Sequence, residues 1–199
     1  SASLQYAGHY NGLTLPATMT FTRNGKGYKV VSTIKVPLYH IRFESGGSIS
    51  GNTIRPSYYK DVRDGKTYAE AKFRGNQVTY GKTGELQTET VGGNISDLFT
   101  LAWQLAANDA KLPARLSITN GKKIYPVSGM SKIGSGSYTL NGKAIPVEKY
   151  RVQRGDDTVT YSFATALGNI PAQISYTDDG KTYDLKLTSV SINGKPVKP

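Results

Sequence analysis

The chain has 199 residues, 37% of them hydrophobic and 20% charged, a composition that suits a globular domain with a sizeable core and excludes a disordered polymer. No apolar run approaches the ~20 residues of a membrane-spanning helix, and the absence of cysteine excludes disulfides, thiolate nucleophiles and cysteine-ligated metals. Twenty-five Lys and Arg against fourteen Asp and Glu give a formal charge of +11, which draws polyanions toward the surface by long-range attraction without selecting among nucleic acid, anionic headgroups and acidic glycans.

Along the chain, the start SASLQYAGHY has no basic segment followed by an apolar core. Turn signals then recur at Asn11-Gly12, Asn24-Gly25, Asp64-Gly65, Gly92-Gly93, Asn120-Gly121, Asn141-Gly142, Asp179-Gly180 and Asn193-Gly194. Asn or Asp followed by Gly supplies the positive φ angles of tight hairpins, because glycine has no Cβ to clash. Between these turns the pattern has period two. Tyr28, Val30, Ser32, Ile34 and Val36 alternate with polar or lesser neighbours, as do Val159, Tyr161 and Phe163, then Tyr183, Leu185 and Leu187. Alternation of this kind buries one face of an antiparallel sheet and wets the other. Pro37, Pro126 and Pro146 mark edges, bends or bulges. Near the end the apolar phase moves from Leu185 and Leu187 to Val190 and Ile192, which predicts a bulge near Ser189 keeping both pairs on one face.

One segment breaks the pattern. In GGNISDLFTLAWQLAAN, residues 92–108, Leu98, Leu101, Ala102 and Leu105 follow helical spacing, with Phe99, Trp103 and Ala106 widening the apolar stripe. Ser96 is the expected cap, with Asp97 in the first turn, and Asn108 and Pro113 mark the stop. A helix so widely apolar must be covered by the sheet, as a packing element or as a lid over a ligand. The prediction is a single all-β domain, residues 1–199: a strongly curved antiparallel sheet, or an open barrel or sandwich, with one main α-helix at about residues 96–107 packed on it.

Catalytic patterns are thin. His9 and His40 lack partners at metal-ligand spacing, so no metal and no cofactor are expected. Ser32 and Lys35 match a bare S-x-x-K pattern, but a spacing of three on a strand points them to opposite faces. GSGSYTLNG lacks the following helix of a phosphate cradle. RGDDT and TDDGKT are turns with too few oxygens at calcium-loop spacing. Glu70, Glu89, Glu148, Asp156 and Asp157 include possible acid and base pairs whose separation no sequence reveals.

The richer feature is tyrosine beside arginine and lysine. NTIRPSYYKDVRDGKTY gathers Arg55, Tyr58, Tyr59, Lys60, Arg63, Lys66 and Tyr68. Stacking faces with guanidinium forks suit sugars, headgroups or single-stranded nucleic acid, while tyrosine is also simply a good strand residue.

The order ESGGSISGNTIRPSYYKDVRDGK, SDLFTLAWQLA and YSFATALGNIPAQISYTDDGKTYDLKLTSV resembles the exported bacterial proteins grouped as domain-of-unknown-function family 3108. The matching positions are Gly46, Gly47, Pro56, Tyr58 or Tyr59 and Arg63, then Asp97, Leu98 and Trp103, then Pro171 and Asp179-Gly180. One departure is QLAAN, where the family helix often ends on arginine. The resemblance implies a β-rich fold and the Gram-negative envelope, in the periplasm or anchored at the outer membrane, with a secretory leader expected to have been removed. It carries no assigned reaction. The resulting expectation is a non-enzymatic envelope protein that binds an apolar or anionic component, a lipid, glycolipid or lipoprotein segment. Phe99 and Trp103 would line or cap the apolar part, and Arg55, Arg63 and Tyr58 or Tyr59 would hold a headgroup. The alternatives are an envelope scaffold docking another envelope protein, and a glycan-acting enzyme. Specific nucleic-acid binding is not expected; peripheral membrane contact is compatible with the charge.

Overall fold

In the computed structural model residues 1–10, 12–178 and 180–199 are described. Asn11 and Asp179, halves of two of the expected turns, lie outside the described residues. The strands are β1 (Ala2–Tyr10), β2 (Leu13–Asn24), β3 (Gly27–Val36), β4 (Tyr39–Ser50), β5 (Thr53–Arg63), β6 (Lys66–Arg74), β7 (Gln77–Lys82) and β8 (Gln87–Thr90). A two-residue strand β9 (Ile95–Ser96) leads into helix α1 (Leu98–Ala107). The second half comprises β10 (Ser117–Thr119), β11 (Ile124–Leu140), β12 (Lys143–Arg154), β13 (Asp157–Ala164), β14 (Ile170–Asp178), β15 (Lys181–Ile192) and β16 (Lys195–Val197).

The sheet is one continuous, unclosed path of two meanders. β8 runs back through to β1, β1 pairs with β15, and β15 runs back through β11 to β10 and β9, with β16 added beside β15. Every neighbouring pair is antiparallel except β9 with β10. The β1–β15 ladder, Ala2 against Ile192 through Tyr10 against Tyr183, joins the two ends of the chain in the middle of the sheet.

The period-two prediction holds for the inward-facing residues, while Ser162, on the opposite face of its strand, is buried as well. Tyr28, Val30, Ser32, Ile34 and Val36 are all buried, as are Val159, Tyr161, Phe163, Tyr183, Leu185 and Leu187. The late bulge exists one residue earlier than expected: Gln5 faces Ser189 and Tyr6 faces Leu187, leaving Thr188 as the extra residue. It brings Val190 onto the buried face, but Ile192 is exposed, because the sheet has by then run past the core. The hairpins Asp64-Gly65, Asn141-Gly142 and Asn193-Gly194 have positive φ at both residues, the type I′ geometry that Asn-Gly and Asp-Gly predict.

Helix α1 lies in the hollow of the curved sheet, touching β3, β5, β13 and β14. Its cap differs from expectation. Ser96 belongs to β9, and Asp97 is the N-cap, its Oδ1 accepting from the backbone N–H groups of Phe99 at 3.0 Å and Thr100 at 2.9 Å. The Thr100 hydroxyl donates to Asp97 Oδ2 at 2.7 Å and stands 2.9 Å from Ser45 Oγ on β4. Tyr161 of β13 donates its hydroxyl to the Leu98 carbonyl at 2.6 Å. A buried polar seam therefore fixes the start of the helix to both meanders. No helix of the described residues is long and apolar enough to cross a membrane.

Candidate functional site

The C-terminal half of α1 reaches one mouth of the curved sheet. There Trp103 stacks on Phe21 of β2, ring centroids 4.8 Å apart and planes 27° from parallel. The pair forms one wall of a groove of about 250 Å³, shared with Ile49, Ile54, Ala106 and Gly168, with Arg23 at its edge. The elements explain the apolar lining. Ala17, Met19 and Phe21 occupy one face of β2, so Phe21 is the last inward residue before the strand leaves the core. Ile49 and Ile54 are cross-strand partners flanking the Gly51-Asn52 turn. The Arg23 guanidinium is turned to this edge by a bond from its Nε to the Gly25 carbonyl at 3.2 Å.

Gln104 pins the groove. Its Oε1 accepts from the buried Ile54 N–H at 2.5 Å, and its Nε2 donates to the Asn52 carbonyl at 2.9 Å. These bonds hold the helix against the β4–β5 turn, so the floor is set before any ligand arrives. The Trp103 indole N–H is buried and finds no acceptor among the described residues.

The residues expected to bind together do not form one site. Phe99, 2% exposed, lies inside the core against Phe43 and Tyr176, away from the Trp103 groove lining. Tyr59, 4% exposed, is likewise a core residue stacked near Phe43. Tyr58 points to the outer face, where its hydroxyl donates to Glu44 at 2.5 Å; burial, then that hydrogen bond, push its pKa well up. Arg55 and Arg63 stand at opposite ends of β5, about 26 Å apart at ~3.3 Å per residue. Arg55 lines a separate cleft of about 290 Å³ with Pro56, Phe73, Asn94 and Leu116. Arg63 is paired with Asp61 and lies 3.7 Å over the Tyr68 ring. Trp103 alone of the six lines the groove. Phe21, Arg23, Ile49 and Ile54 were not anticipated. Alternation on β2 foreshadows Phe21, but no local pattern tells which strand ends meet the helix.

The glycine, proline and tyrosine motif proves architectural. A Cβ on Gly47 would stand 2.0 Å from the Arg55 carbonyl oxygen, and one on Gly46 would stand 2.7 Å from the Tyr58 ring. Both glycines serve the bulge where Gly46 faces Tyr58 and Gly47 faces Pro56. His9 and His40 are separated along the sheet, and the described residues contain no cluster of three metal-ligating side chains.

Comparison with known proteins agrees with this architecture. A crystal structure titled "Beta-barrel-like Protein of Domain of Unknown Function DUF1849 from Brucella abortus" superposes with a TM-score of 0.60 at 10% identity, covering 99% of this chain and 98% of that one, which speaks to fold alone. No curated protein matches the chain. The family model described as "Protein of unknown function (DUF3108)" matches residues 5–188, and the chain, with the bulge glycines, aspartate-capped helix and late proline strand in order, belongs to that family.

Proposed function

We propose that this is a non-enzymatic binding protein of the bacterial cell envelope, periplasmic or held at the outer membrane, whose groove beside Trp103 takes the apolar end of an anionic amphiphile. The observation that carries the reading is the groove itself: an aromatic wall of Trp103 and Phe21, an aliphatic floor, and the Arg23 cation at the edge. Its volume, about 250 Å³, lies below the ~300–1,000 Å³ of pockets that swallow a drug-sized ligand. That size fits one acyl-chain end, or the lipid-bearing terminus of a lipoprotein, rather than a whole diacyl lipid. An anionic head then remains outside, within reach of Arg23. An oxygen of the ligand entering beside Trp103 would also supply the acceptor its indole N–H lacks.

Trp103 is the sole tryptophan, so its emission reports the groove directly. Titration with oleate and with lysophosphatidylglycerol is expected to give a saturable blue shift. Ala106→Phe, which fills the groove from the helix, should weaken binding by about tenfold or more, equivalent to ~1.4 kcal/mol. Arg23→Gln should weaken the anionic ligands a few-fold while leaving a neutral monoglyceride unaffected. Emission that stays unchanged, or a shift that persists in Ala106→Phe, would sink the proposal.

A further inference from the structure

The outer face of the first meander carries a surplus of positive charge. Alternation and register turn Lys29 and Lys35 of β3, Arg42 of β4, Lys60 of β5, and Lys72 and Arg74 of β6 outward, away from the core residues between them. Among the described residues the acids beside these six cations are Glu44 and Glu70, with Asp64 in the hairpin at one corner. Two of the three acids are already engaged. Glu44 accepts from Arg42 and from the Tyr58 hydroxyl, with Lys29 Nζ 4.0 Å away, and Asp64 accepts from the His40 N–H at 2.9 Å. Lys35, Lys60, Lys72 and Arg74 form no ion pair among the described residues.

A single aromatic ring lies in the middle of these charges. One row of paired residues crosses the strands as Thr22, Lys29, Gly46, Tyr58, Lys72 and Thr79. A Cβ on Gly46 would stand 2.7, 2.9 and 3.0 Å from three atoms of the Tyr58 side chain, so only glycine lets the ring come down onto the backbone of β4. The bond from its hydroxyl to Glu44 fixes its direction. With one side on Gly46, the half-buried ring turns its other side outward, and Lys60 Nζ stands 5.8 Å from its centroid. Lys29 and Lys72 flank it in the same row, three strands or ~14 Å apart.

A lone ring of this size, set among unpaired cations, matches one sugar of a charged chain: the ring takes the apolar side of the sugar, and the cations take acid groups on its neighbours. The hydroxyls of Thr22 and Thr79 stand at the ends of the row for sugar hydroxyls. Single-stranded nucleic acid fits less well, because successive bases need successive stacking platforms and this face has one. Nor do strands β3 to β6 expose a large apolar side chain that would enter a bilayer.

The geometry points to the outer face of β3 to β6 as a binding surface for an acidic polysaccharide, with one sugar stacked on Tyr58 and the acid groups of its neighbours held by Lys60, Lys72 and Arg74. The Trp103 groove opens from the hollow on the other side of the sheet, so this binding does not depend on what the groove holds.

The test is calorimetric titration with heparin and polygalacturonate, beside neutral dextran and oligothymidylate. Both acidic glycans are expected to bind, less tightly as salt rises, and dextran is not. Tyr58→Ala should weaken glycan binding about tenfold, whereas Tyr58→Phe, which keeps the ring, should stay within about twofold of wild type. Lys72→Gln with Arg74→Gln should weaken it severalfold. Lys149→Gln with Arg151→Gln, the same change of charge on β12, should leave it unaltered. Trp103 emission, from the hollow, checks that each variant is folded. Loss of binding in the β12 pair equal to that in the β6 pair overturns the proposal, as does wild-type binding by folded Tyr58→Ala. Oligothymidylate bound as tightly as the glycans also overturns it and makes the face a nucleic-acid surface.

Discussion

Asp97 shows how one residue serves the fold at a cost in charge. Burial raises its pKa above the usual 3.8, against the lowering pull of hydrogen bonds from Thr100, Ser45 and Phe99. With the folded value above the unfolded one, this group favours folding fully below pH 3.8, and that contribution is lost as pH rises through the folded value. Asp97→Asn keeps an N-cap acceptor and removes the charge, so its stability at neutral pH should stay within about 1 kcal/mol of wild type. Over the acid range the wild type should lose ground to Asp97→Asn as pH rises, seen in urea unfolding at stepped pH. Asp97→Ala removes the cap and leaves the Phe99 and Thr100 amides without their acceptor, while the Thr100 hydroxyl keeps Ser45, with an expected loss of about 2–3 kcal/mol. Gly47 makes a second contrast. Gly47→Ala drives a Cβ into the Arg55 carbonyl and should cost about 3 kcal/mol or more, whereas Gly51→Ala, strained in φ but in open space, should cost about 1–2 kcal/mol. Legibility at this scale was uneven. The resemblance picked out Gly46, Gly47 and Asp97, yet their roles depend on Tyr58, Arg55 and Ser45, brought close only by strand register and helix docking.

Among the elements, the helix connects fold to site. Its apolar stripe was legible from spacing, since a period of 3.6 stands out against strands of period two, and its stop from Asn108, which is the C-cap. Its cap was misplaced by one residue because Ser96 is taken by pairing with Ile118 of β10, a parallel contact no local pattern announces. The same limit explains the binding residues. NTIRPSYYKDVRDGKTY looked like one cluster because its residues are neighbours in sequence; as a strand and hairpin, it spreads Arg55 and Arg63 to opposite ends and turns Tyr58 and Tyr59 to opposite faces. Gln104 is where the helix can be tested as an element. Gln104→Ala leaves the buried Ile54 N–H without its acceptor and releases the β4–β5 turn. Thermal unfolding should show a loss of about 1–3 kcal/mol, and amphiphile affinity at Trp103 should fall with it as the groove floor loosens.

At the level of the whole molecule, the open sheet has a hollow and an outer face with different chemistry. The hollow holds α1 and the Trp103 groove, and its interior is filled by aromatic contacts from Phe43 through Phe99, Tyr176 and Tyr183 to Tyr10. Turn chemistry and alternation made the all-β architecture readable. The union of β1 with β15 was not readable, because pairing residues some 190 positions apart leaves no local trace. Charge behaves in the opposite way: the excess of +11 was plain from composition, but its meaning on each surface depends on which other residues accompany it. Occupancy of the groove is decided by native mass spectrometry of the protein isolated from its own cells, beside Ala106→Phe isolated in the same way. One anionic amphiphile is expected on the wild-type chain and none on the variant; a bare wild-type chain, or a ligand retained by Ala106→Phe, would rule out the groove as a ligand site.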